Sequence, residues 1–142
     1  MDPTIKLKLH KSFKAQNMMT TLGAEMTQIS AGAVTIEAPI LSIATQQQGY
    51  GHAALAFAIG DSAAGYAALS LMPLEQEVVT TEIKINLLAP SVGQRLIATG
   101  RVLKSGKRLS VVSAEVHAEQ DGLHKLVAVL QGTMMPVATL GG

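Results

Sequence analysis

The sequence predicts an α+β fold in which an antiparallel sheet of about six strands wraps around one long central helix. Residues 53–71 form an apolar run with no polar face, interrupted by a single carboxylate, Asp61. A helix that is apolar all round must be buried. The stretch after it alternates polar and apolar side chains and is punctuated by turn residues, the pattern of antiparallel strands. A helix with every face to hide and a sheet with one face to hide have a common solution: the sheet curls around the helix.

The elements follow in order. Leu9, Phe13, Ala15, Met18, Met19 and Leu22 recur at near-helical spacing and Gly23 is a stop signal, so a helix is expected over about 9–22. Residues 24–29 and 33–38 read as two short strands closing a hairpin at Ser30-Ala31-Gly32. Residues 39–51, rich in Gln and small side chains, read as a loop. The central helix is expected over 53–71, ended by Pro73. In 78–88, Ile83, Ile85 and Leu87 fall on one face and Glu82, Lys84 and Asn86 on the other. Pro90-Ser-Val-Gly93 turns into a strand over 94–104, Ser105-Gly106 into 108–119, and Asp121-Gly122 into 124–134. Strands joined by such tight turns are expected to be antiparallel neighbours. Residues 138–142 read as a loose tail. With no internal repeat or linker, residues 1–142 are expected to be one domain.

Composition narrows the function classes. Apolar residues make up 48% and charged residues 15%, and mean hydropathy is +0.31. A chain this greasy is expected to cover apolar surface with a second copy. A net charge of +1 argues against nucleic acid as a partner. Cysteine is absent, which excludes disulfides, thiolate catalysis and zinc-thiolate sites and fits a cytoplasmic location. The N-terminus lacks the apolar segment of a secretory signal. The 53–72 run is long enough to span a bilayer, but Asp61 at mid-span would cost about 2.5 kcal/mol or more; a buried helix, with no membrane partner, is the expectation.

Asp61 is the first candidate for chemistry. An acid in apolar surroundings has a raised pKa and suits proton transfer or nucleophilic attack; it can equally be a buried carboxylate satisfied by hydroxyls such as Ser62. His52 lies nine residues earlier, which on a helix is about 13 Å along the axis and half a turn around. The two cannot easily serve one reacting centre from the same helix. His10, His52, His117 and His124 have no metal-ligand spacing, so no metal is assigned. Lys6, Lys8, Lys11 and Lys14 read as a solvated face.

Four segments together carry a family resemblance: Gly49-Tyr-Gly-His52, Asp61 nine residues on, Val79-Thr-Thr-Glu-Ile-Lys-Ile-Asn-Leu-Leu-Ala-Pro90, and Lys104-Ser-Gly-Lys-Arg-Leu109. Over about residues 18–134 the chain resembles the hotdog-fold acyl-CoA thioesterases of the PaaI-like and thioesterase-superfamily-member-2 type. The resemblance implies a homodimer or homotetramer whose sites are shared: two antiparallel helices, each N-terminus facing the other copy's Asp61. It implies Asp61 as general base or nucleophile, the Ala53 N–H as oxyanion donor and Thr80 as the hydroxyl orienting water or the carboxylate. Thr80 can also be an ordinary strand threonine, with Thr81 next to it. Gln46 matches a residue that hydrogen-bonds near the thioester, or is a solvated loop glutamine; His52 reads as a loop-ordering histidine. Lys104, Ser105, Gly106, Lys107, Arg108 and Leu109 match a turn that holds the nucleotide end of coenzyme A, or form a solvated hairpin tip. No cofactor is implied, coenzyme A entering as part of the substrate. Where the family has His-Gly-Gly this chain has His52-Ala53-Ala54. Alanine keeps the N–H, while its methyl can crowd a closely approaching thioester. That departure leaves a non-catalytic acyl-CoA-binding protein as the alternative, with a hotdog dehydratase or hydratase further off.

Overall fold

The computed structural model describes residues 1–139. Helix α1 (Pro3–Ala15) starts at Pro3 rather than residue 9. Asp2 caps it, its carboxylate accepting the Thr4 N–H at 2.8 Å, and Pro3 takes the first helical position. The single helix expected over 9–22 is split, because Gln16 is extended (ψ 102) between α1 and the short α2 (Asn17–Thr21). That break resets the rotational phase: Leu9, Phe13 and Met19 are buried, whereas Met18, assigned by spacing to the core face, is exposed. Lys8 is not on a solvated face either. Its ammonium donates to the carbonyls of Leu74 and Gln76 and lies 3.9 Å from Glu77.

Strands β1 (Glu25–Ser30) and β2 (Ala33–Pro39) form the expected hairpin. The central helix α3 (Ala53–Leu69) ends at Ser70, whose hydroxyl donates to the Ala67 carbonyl and accepts the Gly32 N–H, pinning the hairpin turn to the helix end. Strands β3 (Gln76–Leu87), β4 (Arg95–Ser105), β5 (Ser110–Gln120) and β6 (Leu123–Ala138) complete a six-stranded sheet, all pairs antiparallel, in the order β1-β2-β4-β5-β6-β3. The sheet curls around α3 in the expected hotdog arrangement. Gly100 on β4 marks the closest approach: a Cβ there would fall 2.3 Å from the Ala63 carbonyl carbon.

Two expectations are corrected. First, β3 and β4 are not neighbours: β3 pairs with β6 at the sheet edge and β4 lies between β2 and β5. Residues 88–94 instead cross the end of the sheet, tied by the Leu88 and Ala89 N–H groups to the Val127 carbonyl, by the Ser91 carbonyl to the Gly51 N–H, and by the Gln94 N–H to the Glu119 carbonyl. A proline-glycine turn signal reports a change of direction, not the partner that the next strand finds. Second, α3 is not buried on every side. From Ile59 onward the helix is largely enclosed, but Ala53, Ala54 and Phe57 are exposed. The sheet, α1 and α2 leave the first turns uncovered.

Of the tail expected over 138–142, Ala138 ends β6 and the Thr139 hydroxyl donates to the Glu75 carbonyl; residues 140–142 lie outside the described residues. Among the described residues no helix is long and apolar enough to cross a membrane.

Candidate active site

Asp61 is the middle residue of α3, where Gly60 before it packs against Leu130 and its own side chain opens into a cleft of about 260 Å³. Burial pushes the Asp61 carboxyl above the ordinary aspartate value, and a hydrogen bond from Thr80 pulls partly the other way. The Thr80 hydroxyl donates to Asp61 Oδ1 at 2.8 Å, and the Met134 sulfur lies 3.2 Å from the Thr80 hydroxyl oxygen. The acid is therefore held in one orientation in a partly dry wall, as a base or nucleophile must be.

A bulge in β3 explains why the partner is Thr80 and not Thr81. Ile83 and Ile85 pack against the core, so strict alternation would turn Thr81 inward and Thr80 outward. The register shifts between Thr80, opposite Met134, and Glu82, opposite Thr133. Thr81 is the extra residue, its hydroxyl donating to the Thr133 carbonyl. Two residues thus occupy one position, and Val78 and Thr80 face the helix.

The other candidates gather at the start of α3, away from this cleft. His52 is the N-cap: its Nδ1 accepts the Ala54 N–H at 2.9 Å, and its own N–H donates to the Ala44 carbonyl. The Ala53 N–H, at the first helical position, has no acceptor among the described residues and opens into a depression of about 510 Å³ shared with Gln46, Tyr50 and Pro90. An unpaired N–H at a helix N-terminus is an oxyanion donor in waiting. Gln46 closes its own loop, its side-chain oxygen accepting the N–H groups of Gln48 and Tyr50. Within one protomer Ala53 and Asp61 are eight residues apart, about 12 Å along the axis, and open into different depressions.

Residues Lys104–Leu109 form the exposed β4–β5 hairpin tip, closed by the Gly106 N–H on the Leu109 carbonyl. Lys104, Lys107 and Arg108 form no ion pair among the described residues. Ser105, Ser110, Met134 and Thr80 are successive partners across the sheet, so the tip lies three strands, about 14 Å, from Thr80. Among the described residues no cluster of His, Asp and Glu is arranged to hold a metal.

Sequence reasoning missed the floor of the Asp61 cleft. Tyr66, buried on α3, receives a hydrogen bond from the Gln16 amide at 2.7 Å, and its hydroxyl lies 3.0 Å from that of Ser12. A tyrosine inside an otherwise apolar helix was the available signal, since its hydroxyl needs a partner when buried.

The thioesterase superfamily model matches residues 48–125, more than half of the chain. A thioesterase family protein from Silicibacter pomeroyi is 37% identical, with a TM-score of 0.93 and a match covering 95% of this chain and 99% of that one. The E. coli PaaI protein from the phenylacetic acid degradation operon shares the fold at 20% identity, with a TM-score of 0.85 over 95% of this chain and 94% of its own. The esterase candidate SSO1253 of Saccharolobus solfataricus is 28% identical over 126 residues, 89% of this chain and 81% of its length. Together with the helix-wrapped sheet, these matches identify the chain as a member of the thioesterase superfamily, a thioester hydrolase of the hotdog fold.

Proposed function

We propose that the protein is an acyl-CoA thioesterase in which Asp61 drives hydrolysis and each site is completed by a second copy of the chain. The observation that carries this reading is the Asp61 carboxylate, raised in pKa and fixed by Thr80 in the cleft. Acting as base, Asp61 takes a proton from water as the hydroxide adds to the thioester carbonyl carbon. The carbonyl oxygen becomes an oxyanion, stabilised by the Ala53 N–H and the positive end of α3 from the second copy. Collapse breaks the C–S bond, the sulfur leaves as a thiolate that takes up the proton, and a carboxylic acid is released. Direct attack by Asp61 gives an anhydride that water then opens, with the same products. The exposed first turns of α3 support the second copy, since this apolar face has no cover within the protomer. The cations of the hairpin tip suit the phosphates of coenzyme A.

Free-thiol release from a panel of acyl-CoA thioesters tests the activity: Asp61→Asn is expected to lower kcat about 100- to 10,000-fold. Binding without turnover, or turnover indifferent to Asp61, would overturn it. Sharing is tested by Ala53→Pro, which removes one N–H at the position where proline suits a helix. His52 already has the extended backbone a following proline requires (φ -62, ψ 145). Each variant alone should be impaired. Subunits of Asp61→Asn and Ala53→Pro, unfolded together and refolded as a mixture, should regain activity, because a mixed pair contains one intact site. No regain, or a fully active monomer, refutes the shared site.

A further inference from the structure

The Thr80 hydroxyl has one proton to give and two acceptors within reach. Asp61 Oδ1 lies 2.8 Å from its oxygen and the Met134 sulfur 3.2 Å. Hydrolysis by Asp61 uses the first contact and has no use for the second. The fold nevertheless holds the sulfur in place. Met134 is fully buried on β6, directly opposite Thr80 on β3 and Ser110 on β5. Its methyl lies toward Gly65 of α3, where a Cβ would stand 3.9 Å from it. The bulge at Thr81 sets the pairing, because it turns Thr80 inward at this point of the strand.

The two acceptors are unequal, and the charge on Asp61 decides between them. A hydrogen bond to an ionised carboxylate is about twice as strong as one between neutral groups, whereas a thioether is a weak acceptor. Ionised Asp61 therefore takes the Thr80 proton and the sulfur stands idle. Once Asp61 is neutral, two arrangements compete. With Thr80 still donating to Oδ1, the three groups share one hydrogen bond. With the acid's own proton donated from Oδ1 to the Thr80 oxygen, and the Thr80 proton turned to the sulfur, they share two. An apolar side chain at 134 would remove a bond from the neutral form and none from the ionised form.

We propose that Met134 is a positioning residue: its sulfur receives the Thr80 proton whenever Asp61 is protonated, so that Thr80 turns from donor to acceptor as the acid gains its proton. One O–H···O contact is exchanged for another and an O–H···S contact is added; the only proton taken up is the one on Asp61. The sulfur thereby favours the neutral acid and raises the pH at which Asp61 ionises, in the same direction as burial. The inference rests on the thioesterase reading only for its effect on rate. The other groups facing Asp61 stay constant through the switch. Glu77 from β3 and the Tyr66 hydroxyl from α3 line the same cleft, and α1 brings the non-titrating Ser12 and Gln16. The Lys8 ammonium of α1 is engaged by the Leu74 and Gln76 carbonyls, and β6 contributes Met134 alone to the cleft.

Met134→Leu, which conserves volume, tests this in protein carrying carboxyl-labelled aspartate. The chain has three aspartates, Asp2, Asp61 and Asp121, and the Asp61 signal is the one missing from Asp61→Asn. Its NMR titration midpoint should fall by about half a pH unit in Met134→Leu, the worth of one weak hydrogen bond, and the acid limb of the kcat/KM profile should fall with it. Thr80→Val should move the same midpoint the other way. Adding Met134→Leu to Thr80→Val should then shift nothing further, because no hydroxyl is left for the sulfur to receive. Met134→Ile deletes the sulfur with a side chain suited to a strand and should reproduce the midpoint of the leucine variant. A midpoint unmoved or raised by these substitutions, or lowered equally with and without the Thr80 hydroxyl, would reduce Met134 to core packing and overturn the proposal. If no thioester is cleaved while the midpoints move as expected, the hydrolase reading falls and the switch stands.

Discussion

Replacing Gly100 with alanine puts a methyl group where α3 already rests on β4. The added Cβ would lie 2.3 Å from the Ala63 carbonyl carbon, 2.4 Å from its oxygen and 2.4 Å from the Ala64 nitrogen, whereas ordinary contacts begin at 3.4 Å. Every obstructing atom is backbone, so no rotamer change relieves the clash; the helix must retreat by about 1 Å. Overpacking a core costs about 1–3 kcal/mol, and an obstruction made wholly of backbone places this case at or beyond the upper end. A loss of about 3 kcal/mol would lower Tm by about 10 °C. Gly65→Ala, on α3 itself, is the internal control. Its Cβ would meet only the Met134 methyl at 3.9 Å, so helix propensity governs and stability should rise by about 0.5–1 kcal/mol. Ala63 is two residues from Asp61, and lifting it would also loosen the bond to Thr80, so activity should fall with stability in Gly100→Ala. Thermal unfolding followed by circular dichroism, with thiol release below the transition, measures both. A Gly100→Ala protein that melts with the wild type, or a Gly65→Ala protein that melts below Gly100→Ala, would refute the packing argument.

Other outcomes follow from the same geometry. Because the folded pKa of Asp61 lies above its unfolded value of 3.8, its favourable contribution to stability exists below that value and is lost as pH rises through the folded one. Asp61→Asn should therefore be more stable at pH 7, by about 0.5–2 kcal/mol, and the gain should vanish in melts below pH 3.8. Thr80→Val removes a hydrogen bond that favours the ionised acid, so the acid limb of the kcat/KM profile should move to higher pH; an unmoved limb would detach Thr80 from the titrating group. His52→Ala strips the cap from α3 and should cost about 1 kcal/mol, with His52→Asn recovering most of it in the same denaturation assay.

Much of this was legible because single residues violated their surroundings. Asp61 stood out as the lone carboxylate in an apolar run, and the helix that carries it followed from the same run. Four of the five strand-to-strand connections around the sheet run where turn residues placed chain reversals or a helix separates the strands, but the β3–β4 turn misled, because the partner of β3 is β6, about fifty residues downstream in the register (Thr80 opposite Met134). The start of α1 was readable from Asp2 and Pro3, yet apolar spacing, which begins at Leu9, drew attention away from the cap. Tyr66 carried no sequence signal for its partners, since nothing local reveals that Ser12 of α1 and Gln16 just after it come to its hydroxyl.

The bulge at Thr80–Thr81 has a consequence for how β3 tolerates changes in length. Losing one residue elsewhere in a strand inverts every side chain beyond the gap. Here, deleting Thr81 leaves Thr80 inward, Glu82 outward and Ile83 inward; deleting Thr80 leaves Thr81, Glu82 and Ile83 in that same alternation. The strand thus carries one residue of slack at the point where it meets Asp61, and can give that residue up while keeping both its apolar face and a threonine hydroxyl turned toward the acid.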